Sequence, residues 1–430
     1  MSASGELPRC LESLRCVRGL GHIIVLVIAE PAIENKAASK IRAVAEQFPD
    51  LNIAVVGAPE MALVRQRMEQ LNIGLRNEVG LAGYGAMRNL GLLLAGALDF
   101  DSVVFIDDDV VIDDPAFLEK AMYGLGKLTR SGVPILAKSG FYLNKEGEYL
   151  SSRSTKWYNR YWDQATAFNK WISKAMKGPR LSRSNHVCGG CLALHREAFR
   201  RVSFDPWIAR GEDLDYMLDL RMYGSDIWFD NTWYMHHLPP ETKREGLRFR
   251  QDIFRWLYEY RKMEYSRTQI DLMQVKPQSL EPYPGPFLEP GITKRIRITA
   301  ILRSLARKDK KAYRQAAKAA RTEAVMYAQR NCSKYFEFQF VWSELMSRIE
   351  GDQILSTALV RSAVSRAEAV AGANANGRVV ERDPRVEEAG DVVEAGAPTA
   401  PQTGVPEQLA AQYSNIDPGM TSEIRLNLAD

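Results

Sequence analysis

The run Val103-Val104-Phe105-Ile106-Asp107-Asp108-Asp109-Val110 decides the fold: residues of high strand propensity lead into three adjacent carboxylates, and Asp113-Asp114-Pro115 follows. A strand that ends in acid presents its carboxylates at the open end of an α/β sheet, where side chains leave the packed layers and ligands bind. Adjacent carboxylates repel one another unless a cation or a proton intervenes, and Mg²⁺ and Mn²⁺ prefer oxygen ligands. The run therefore predicts a divalent-metal site. The competing reading is a solvated acidic turn that caps a helix starting near Pro115.

Working outward, Gly83-Tyr84-Gly85-Ala86-Met87-Arg88-Asn89-Leu90-Gly91 opens a helix that runs through Leu94 and Ala97 into the acidic strand. Its glycines allow close backbone approach, and Arg88 near a helix N-terminus suits a diphosphate, with a surface salt bridge as the alternative. Further upstream, Leu7, Leu11 and Leu14 mark an amphipathic helix, residues 21–28 a continuously apolar buried strand, 36–48 a helix and 51–56 a strand. That alternation predicts an α/β, Rossmann-like doubly wound sheet with right-handed crossovers.

Downstream, 115–130 reads as a helix and 133–143 as a strand that turns at 144–147 into Tyr149-Leu150. Trp157, Tyr158, Tyr161, Trp162, Phe168 and Trp171 crowd the next insertion, either packing on the sheet or forming a platform for an acceptor. Cys188 and Cys191, flanked by His186 and His195, have the spacing of a structural zinc site. The preferred reading is that Gly189-Gly190 brings backbone amides up to a ligand before the strand Leu192-Ala193-Leu194. After a short helix at 196–202, Arg210-Gly211-Glu212-Asp213-Leu214-Asp215 opens another. Acids in a first turn suit the helix dipole, but Glu212 and Asp213 leave the helix in different directions, so one can face a cleft. Asp226 to Phe229 reads as a strand, and the following run ends in His236-His237, either of which could join Asp107 and Asp109 around a metal.

The order of these motifs, from Ala86-Met87-Arg88-Asn89-Leu90-Gly91 through Asp107-Asp108-Asp109, Gly189-Gly190 and Glu212-Asp213 to His236-His237, resembles the GT-A-fold glycosyltransferases of the large family-2 type. Relatives of that type include polypeptide N-acetylgalactosaminyltransferases and mannosylglycerate synthase. The resemblance covers residues 7–240. It implies that Asp107 and Asp109 hold Mn²⁺ or Mg²⁺ on the diphosphate of a nucleotide sugar, with Arg88, Asn89, Asp108, Gly189 and Gly190 on the donor side. Asp213 then matches the general base of inverting members, with Glu212 beside it, and His236 or His237 matches a metal-ligating histidine that also occurs in retaining members. The chain departs from the pattern at its start, where only Met1 to Glu6 precede the first helix, and at Ile28-Ala29-Glu30-Pro31, where an Asp-rich turn is usual. These departures leave the nucleotide base open. Chemically, the two kinds of acid serve two needs: a cation neutralises the leaving diphosphate, and a separate carboxylate takes the acceptor proton.

At 430 residues, 46% hydrophobic and 26% charged, the chain can bury a sizeable core in more than one domain. A net charge of +4 and a pI of 8.6 argue against nucleic acid as a partner. Five cysteines make no disulfide framework, residues 1–6 lack the features of a signal peptide, and the longest apolar runs cannot span a bilayer. A cytoplasmic protein is expected. Residues 241–267 read as a helix with Phe249, Ile253, Trp256, Leu257 and Tyr260 inward, 277–290 as a proline-stiffened linker, 294–326 as one basic helix and 335–370 as another helix. The basic helix is either a solvated face or a contact for an anionic acceptor or the inner membrane surface.

The expected organisation is a GT-A domain over 1–240, a helical region over 241–370 and a disordered tail over 371–430. The expected activity is metal-dependent hexosyl transfer from a nucleoside diphosphate sugar to a hydroxyl of a glycan, a lipid-linked or a small-molecule acceptor. A sugar-nucleotide nucleotidyltransferase and a non-catalytic binding protein on the same fold are the alternatives.

Overall fold

The computed structural model describes residues 6–359, except 31, 76, 153–155 and 240–244. The tail expected from residue 371 lies outside the described residues. Helix α1 (Glu6–Leu14) buries Leu7, Leu11 and Leu14 along one face, as their spacing requires. Strands β1 (Ile23–Leu26) and β2 (Ile53–Val56) pair in parallel, with α2 (Glu34–Ala45) between them in sequence. The side chain of Glu60 accepts from the N–H of Gly57 at 2.8 Å and starts α3 (Ala58–Gln70). Helix α4 (Tyr84–Ala97), rich in Leu, Ala and Gly, is buried over almost its whole length. Its Gly85 lies so near the chain that an added Cβ would sit 2.1 Å from the carbonyl oxygen of Asp205.

The central elements follow as β3 (Ser102–Phe105), β4 (Val110–Val111), α5 (Phe117–Met122), β5 (Ala137–Leu143), α6 (Gln164–Met176) and β6 (Leu181–Arg183). After them come β7 (Leu192–His195), α7 (Arg196–Phe199), α8 (Glu212–Met222) and β8 (Ile227–His237). The main sheet runs β3-β7-β5-β8-β4, with β6 also on β8. The fold is therefore α/β, but the sheet is mixed rather than doubly wound and parallel. Only β5 and β8 run parallel within it, and β1 with β2 forms a separate pair. The reason lies in β7, which leaves the Gly189-Gly190 turn and runs back between β3 and β5; antiparallel neighbours need no crossover helix. The helix expected over 115–130 shortens to α5, because Gly124 and Gly126 take φ of +73° and +75°.

A bulge in β8, opposite Gly140, sets the geometry of the site. The register of β5 on β8 shifts between Ser139 and Phe141, and a Cβ on the intervening Gly140 would lie 2.2 Å from the carbonyl oxygen of Trp233. Beyond the bulge β8 continues to β4, where Val110 faces His237 and Val111 faces His236. The histidine pair is thus delivered beside the acidic run.

The remaining helices are α9 (Glu245–Ser266), α10 (Ile292–Ala306), α11 (Lys310–Ala319) and α12 (Glu323–Ile349). The single basic helix expected over 294–326 is two helices and the start of a third. Folding back lets Ile296 and Ala300 of α10 and Tyr313 and Ala316 of α11 all be buried, which one straight helix would not. Likewise the helix expected from 335 begins at Glu323 and breaks near Gly351, whose φ is +62°. The proline-rich stretch is packed rather than a spacer, with Leu280, Tyr283 and Phe287 buried and Phe287 against Trp162 and Trp256. On α9, Phe249, Ile253, Trp256 and Leu257 face inward as expected, while Tyr258 rather than Tyr260 is fully buried.

One hydrophobic core joins Leu90 and Leu192 to Tyr216, Phe249, Trp256 and Trp342, so it continues across residue 240. A buried ion cluster spans the same line. Lys262 Nζ of α9 lies 2.9 Å from Asp205, 2.8 Å from Asp215 and 2.7 Å from Asp219.

Candidate active site

Four segments distant in sequence meet at the end of β3. Asp107 Oδ1 accepts from Arg88 Nη2 at 2.9 Å, and its Oδ2 accepts from the Tyr142 hydroxyl at 3.2 Å. The same hydroxyl accepts from the N–H of Gly190 at 2.7 Å. A Cβ on Gly190 would stand 2.6 Å from Asp107 Oδ2, so the glycine pair is what lets this turn close onto the acid. The N–H of the neighbouring Gly189 donates to Asp213 Oδ2 at 3.2 Å, and Asp213 Oδ1 accepts from the N–H of Leu214 at 2.7 Å. Arg88 Nε lies 3.7 Å from Glu212 and ties the start of α8 back to the acidic strand.

The adjacent acids Glu212 and Asp213 do diverge. Glu212 is buried beside Arg88, and burial, then the charge of Asp213, push its pKa up to about 7 against the pull of Arg88. Asp213 is partly exposed and held by backbone N–H groups. The histidines also part. His237 Nε2 lies 3.4 Å from Asp109 Oδ2, and its ring stacks on Tyr142 with centroids 4.5 Å apart. His236 turns instead to Asp113, at 3.0 Å.

Other candidates sit elsewhere. Asn89 was expected on the donor side, but it is fully buried and spent on the backbone. Its amide donates to Glu78 and Phe204 carbonyls at 3.0 and 2.9 Å, and its oxygen accepts from the Phe204 N–H at 2.8 Å. Arg88 is likewise buried, serving as counter-ion to Asp107 and Glu212 and lying over the Phe105 ring. Asp108 points outward, its pKa raised by partial burial and by Asp109 and Glu6. Cys188 and Cys191 are both buried, and among the described residues they are not grouped with a third His, Cys, Asp or Glu that would complete a zinc site. His195 caps α7, and the ring of His186 packs among Phe168, Trp171 and Tyr283. The aromatic insertion divides in the same way, with Trp162 and Trp171 buried and Trp157 exposed.

Among the described residues, no three His, Cys, Asp or Glu side chains are grouped to hold a metal ion as they stand. Tyr142 and Arg255, both in contact with the site, were not singled out from sequence. Tyr142 sits one residue from the end of β5, where an alternating strand offers no sign of which tyrosine meets an acid. Arg255 is one arginine of several along α9.

No protein-family model matches the chain, and no curated protein is significantly similar to it. Among solved structures it is similar to a mannosyltransferase from Pyrobaculum calidifontis in complex with GDP-Man and Mn²⁺, at 14% identity and a TM-score of 0.36 over 82% of this chain and 92% of that one. It is also similar to S. aureus TarS, at 11% identity and a TM-score of 0.33 over 74% and 53% of the two chains. A third is GalNAc-T7 with UDP, GalNAc and Mn²⁺, at 12% identity and a TM-score of 0.29 over 69% and 56%. Likeness at this level fixes neither substrate nor mechanism.

Proposed function

We propose that this chain is a GT-A-type glycosyltransferase that moves a hexose from a nucleoside diphosphate sugar to an acceptor hydroxyl, with inversion. The observation that supports it best is the meeting of two separate acid sites across one glycine turn: Asp107 touches the Gly190 side of the turn through Tyr142, and Asp213 accepts from Gly189. A donor seated against Gly189 and Gly190 lies between strand-end acids and a helix-start acid. Asp213 accepts from two backbone N–H groups, and in this reading it takes the acceptor proton. Glu212, neutralised in part by burial and tied to Arg88, keeps the start of α8 in register with Asp107.

Asp109 and His237 would hold Mn²⁺ or Mg²⁺, with Asp107 joining in competition with Arg88 and Tyr142; an oxygen and imidazole donor set suits Mn²⁺. When bound, the cation neutralises the departing diphosphate. A thermal-shift panel of UDP, GDP, CMP and dTDP, with and without Mn²⁺, tests this reading. One nucleotide should raise the melting temperature only with metal, equivalent to about 2.7 kcal/mol at a hundredfold excess over Kd. Asp109→Asn should remove that shift. No shift for any nucleotide with metal would overturn the proposal.

Peripheral membrane contact belongs to the same reading. Arg295, Arg303 and Arg307 turn inward to Tyr161, Asn159 and Tyr158 of the aromatic insertion. Lys294, Arg297, Lys310, Lys311, Lys318 and Arg321 form no ion pair among the described residues, and Ile301 and Leu305 beside them are 47% and 63% exposed. No helix among the described residues is long and apolar enough to cross a membrane. Such a face should bind anionic vesicles in a flotation assay, release them at high salt and ignore zwitterionic ones; equal binding to both kinds would refute it.

A further inference from the structure

Between α10 and the junction of α11 with α12 lies a surface cleft of about 420 Å³, lined by Arg297, Ile301, Ala317, Lys318, Arg321 and Thr322. That volume falls within the range of about 300–1,000 Å³ usual for small-molecule sites. Arg297 and Ile301 stand one turn apart on α10, Ala317 and Lys318 belong to the last turn of α11, and Arg321 and Thr322 lead into α12. Folding the basic run back on itself is therefore what brings cations from separate turns to one concave surface.

Charge on a helix face is by itself only solvated surface, and two observations set this cleft apart. The first is that its cations are unused. Arg295 and Arg303 of α10 donate to Tyr161 and Asn159 of the aromatic insertion, and Arg307 just after α10 donates to Tyr158. Arg297, Lys318 and Arg321, by contrast, make no side-chain hydrogen bond or ion pair among the described residues. Nor does a carboxylate line the cleft. Along residues 290–323 the acids are Asp309, which lies against Gly246 at the start of α9, and Glu323, which pairs with Arg250 at 2.6 Å. The second observation is an apolar wall. Ile301 is 47% exposed, and Leu305, one turn further along α10, is 63% exposed. Cations beside an apolar wall match a molecule that carries an anionic head on an apolar body. The lining residues include none from the acid sites at Asp107 and Asp213, so this is a separate place of binding.

We propose that this cleft binds the phosphate-monoester headgroup of a lipid, one per chain, with Arg297, Lys318 and Arg321 on the phosphate oxygens and Ile301 and Leu305 against the apolar part. A phosphate monoester concentrates about two negative charges and three acceptor oxygens on one centre. That suits convergent cations and the planar forks of two arginines. A serine headgroup spreads its anionic groups around an ammonium and fits the same cleft less well. The inference deepens the membrane contact proposed above and rests on it, adding one defined site to a diffuse attraction.

Flotation of the full chain with phosphatidic acid and phosphatidylserine vesicles, matched in zeta potential so that diffuse attraction is equal, tests the site. Wild type should bind the phosphatidic acid vesicles about tenfold more tightly. Arg297→Gln with Arg321→Gln should abolish that preference. The control pair Lys310→Gln with Lys311→Gln should weaken binding to both kinds alike and keep it. All four side chains reach the surface and glutamine is a good helix former, so both variants should fold. Glycerol phosphate, the same headgroup without acyl chains, should compete only at about a hundredfold higher concentration than the lipid, because it lacks the buried methylenes. Equal binding to the matched vesicles, or a preference that survives in the cleft variant, would overturn the site and leave the diffuse contact standing. Competition by glycerol phosphate at equal concentration would overturn the lipid assignment, since the ligand would then be a soluble phosphate. Binding to neither kind of vesicle would overturn the site and the membrane contact together.

Discussion

Asp213→Asn is expected to lower turnover by about 10²- to 10⁴-fold while leaving donor affinity unchanged. Asparagine keeps the oxygen that accepts from the Leu214 N–H and fills the same space, so the start of α8 should hold. What it loses is the acceptor for the Gly189 N–H and the capacity to take a proton from the attacking hydroxyl. The substitution also removes one of the influences that hold the Glu212 pKa up, leaving burial and Asp107 against Arg88, so the pairing of Arg88 with Glu212 should tighten rather than break. The measurement is donor consumption, with water as the acceptor where no other is known, beside donor affinity by titration. A wild-type rate in Asp213→Asn would remove this residue from the mechanism. Lower affinity with an unchanged rate at saturation would make it a binding group instead.

Lys262→Met is expected to destabilise the fold by about 3–5 kcal/mol, the cost of stripping the partner from buried charges. Lys262 is fully enclosed, and its Nζ serves Asp205, Asp215 and Asp219 at once, while Asp205 also accepts from the Tyr258 hydroxyl at 2.8 Å. Burial already pushes Asp215 up to about 6 and Asp219 well above its ordinary value even with the lysine pulling both down. Without it these pKa values rise further.

The pH dependence follows from that direction. A carboxyl whose folded pKa lies above its unfolded value binds a proton more tightly when folded, so its contribution is complete at low pH and is lost as pH rises through the folded value. The variant should therefore lie closest to wild type below the ordinary aspartate value of 3.8 and fall furthest behind above about 6. Paired urea melts at pH 5 and pH 8 read this directly. A deficit that is the same at both would mean that lost packing of the lysine stem, and not charge, sets the cost.

Much of this was legible along the chain. The acidic run follows a strand because strand propensity and adjacent charge are local properties, and Glu212 and Asp213 diverge because neighbours on a helix must. The buried face of α9 was visible in its period, apart from the exchange of Tyr260 for Tyr258. The misses share a cause. Asn89 looked like a donor contact because it follows Arg88, yet its partners are the backbone of Glu78 and Phe204, the latter 115 positions away. The basic run looked like one helix because nothing local shows that Tyr313 and Ala316 must turn back toward the same core as Ile296.

By itself, then, the sequence determined an α/β chain with carboxylates after β3 and at the start of α8 and a glycine pair before β7, because each depends on residues within a few positions of one another. Only the tertiary structure decided the mixed order of the sheet, the choice of His237 over His236 beside Asp109, and the arrival of Tyr142 and Arg255 at the site. Those outcomes turn on the bulge in β8 opposite Gly140, the register of β4 on β8 and the docking of α9, and each is set by packing between segments that carry no local mark of their partner.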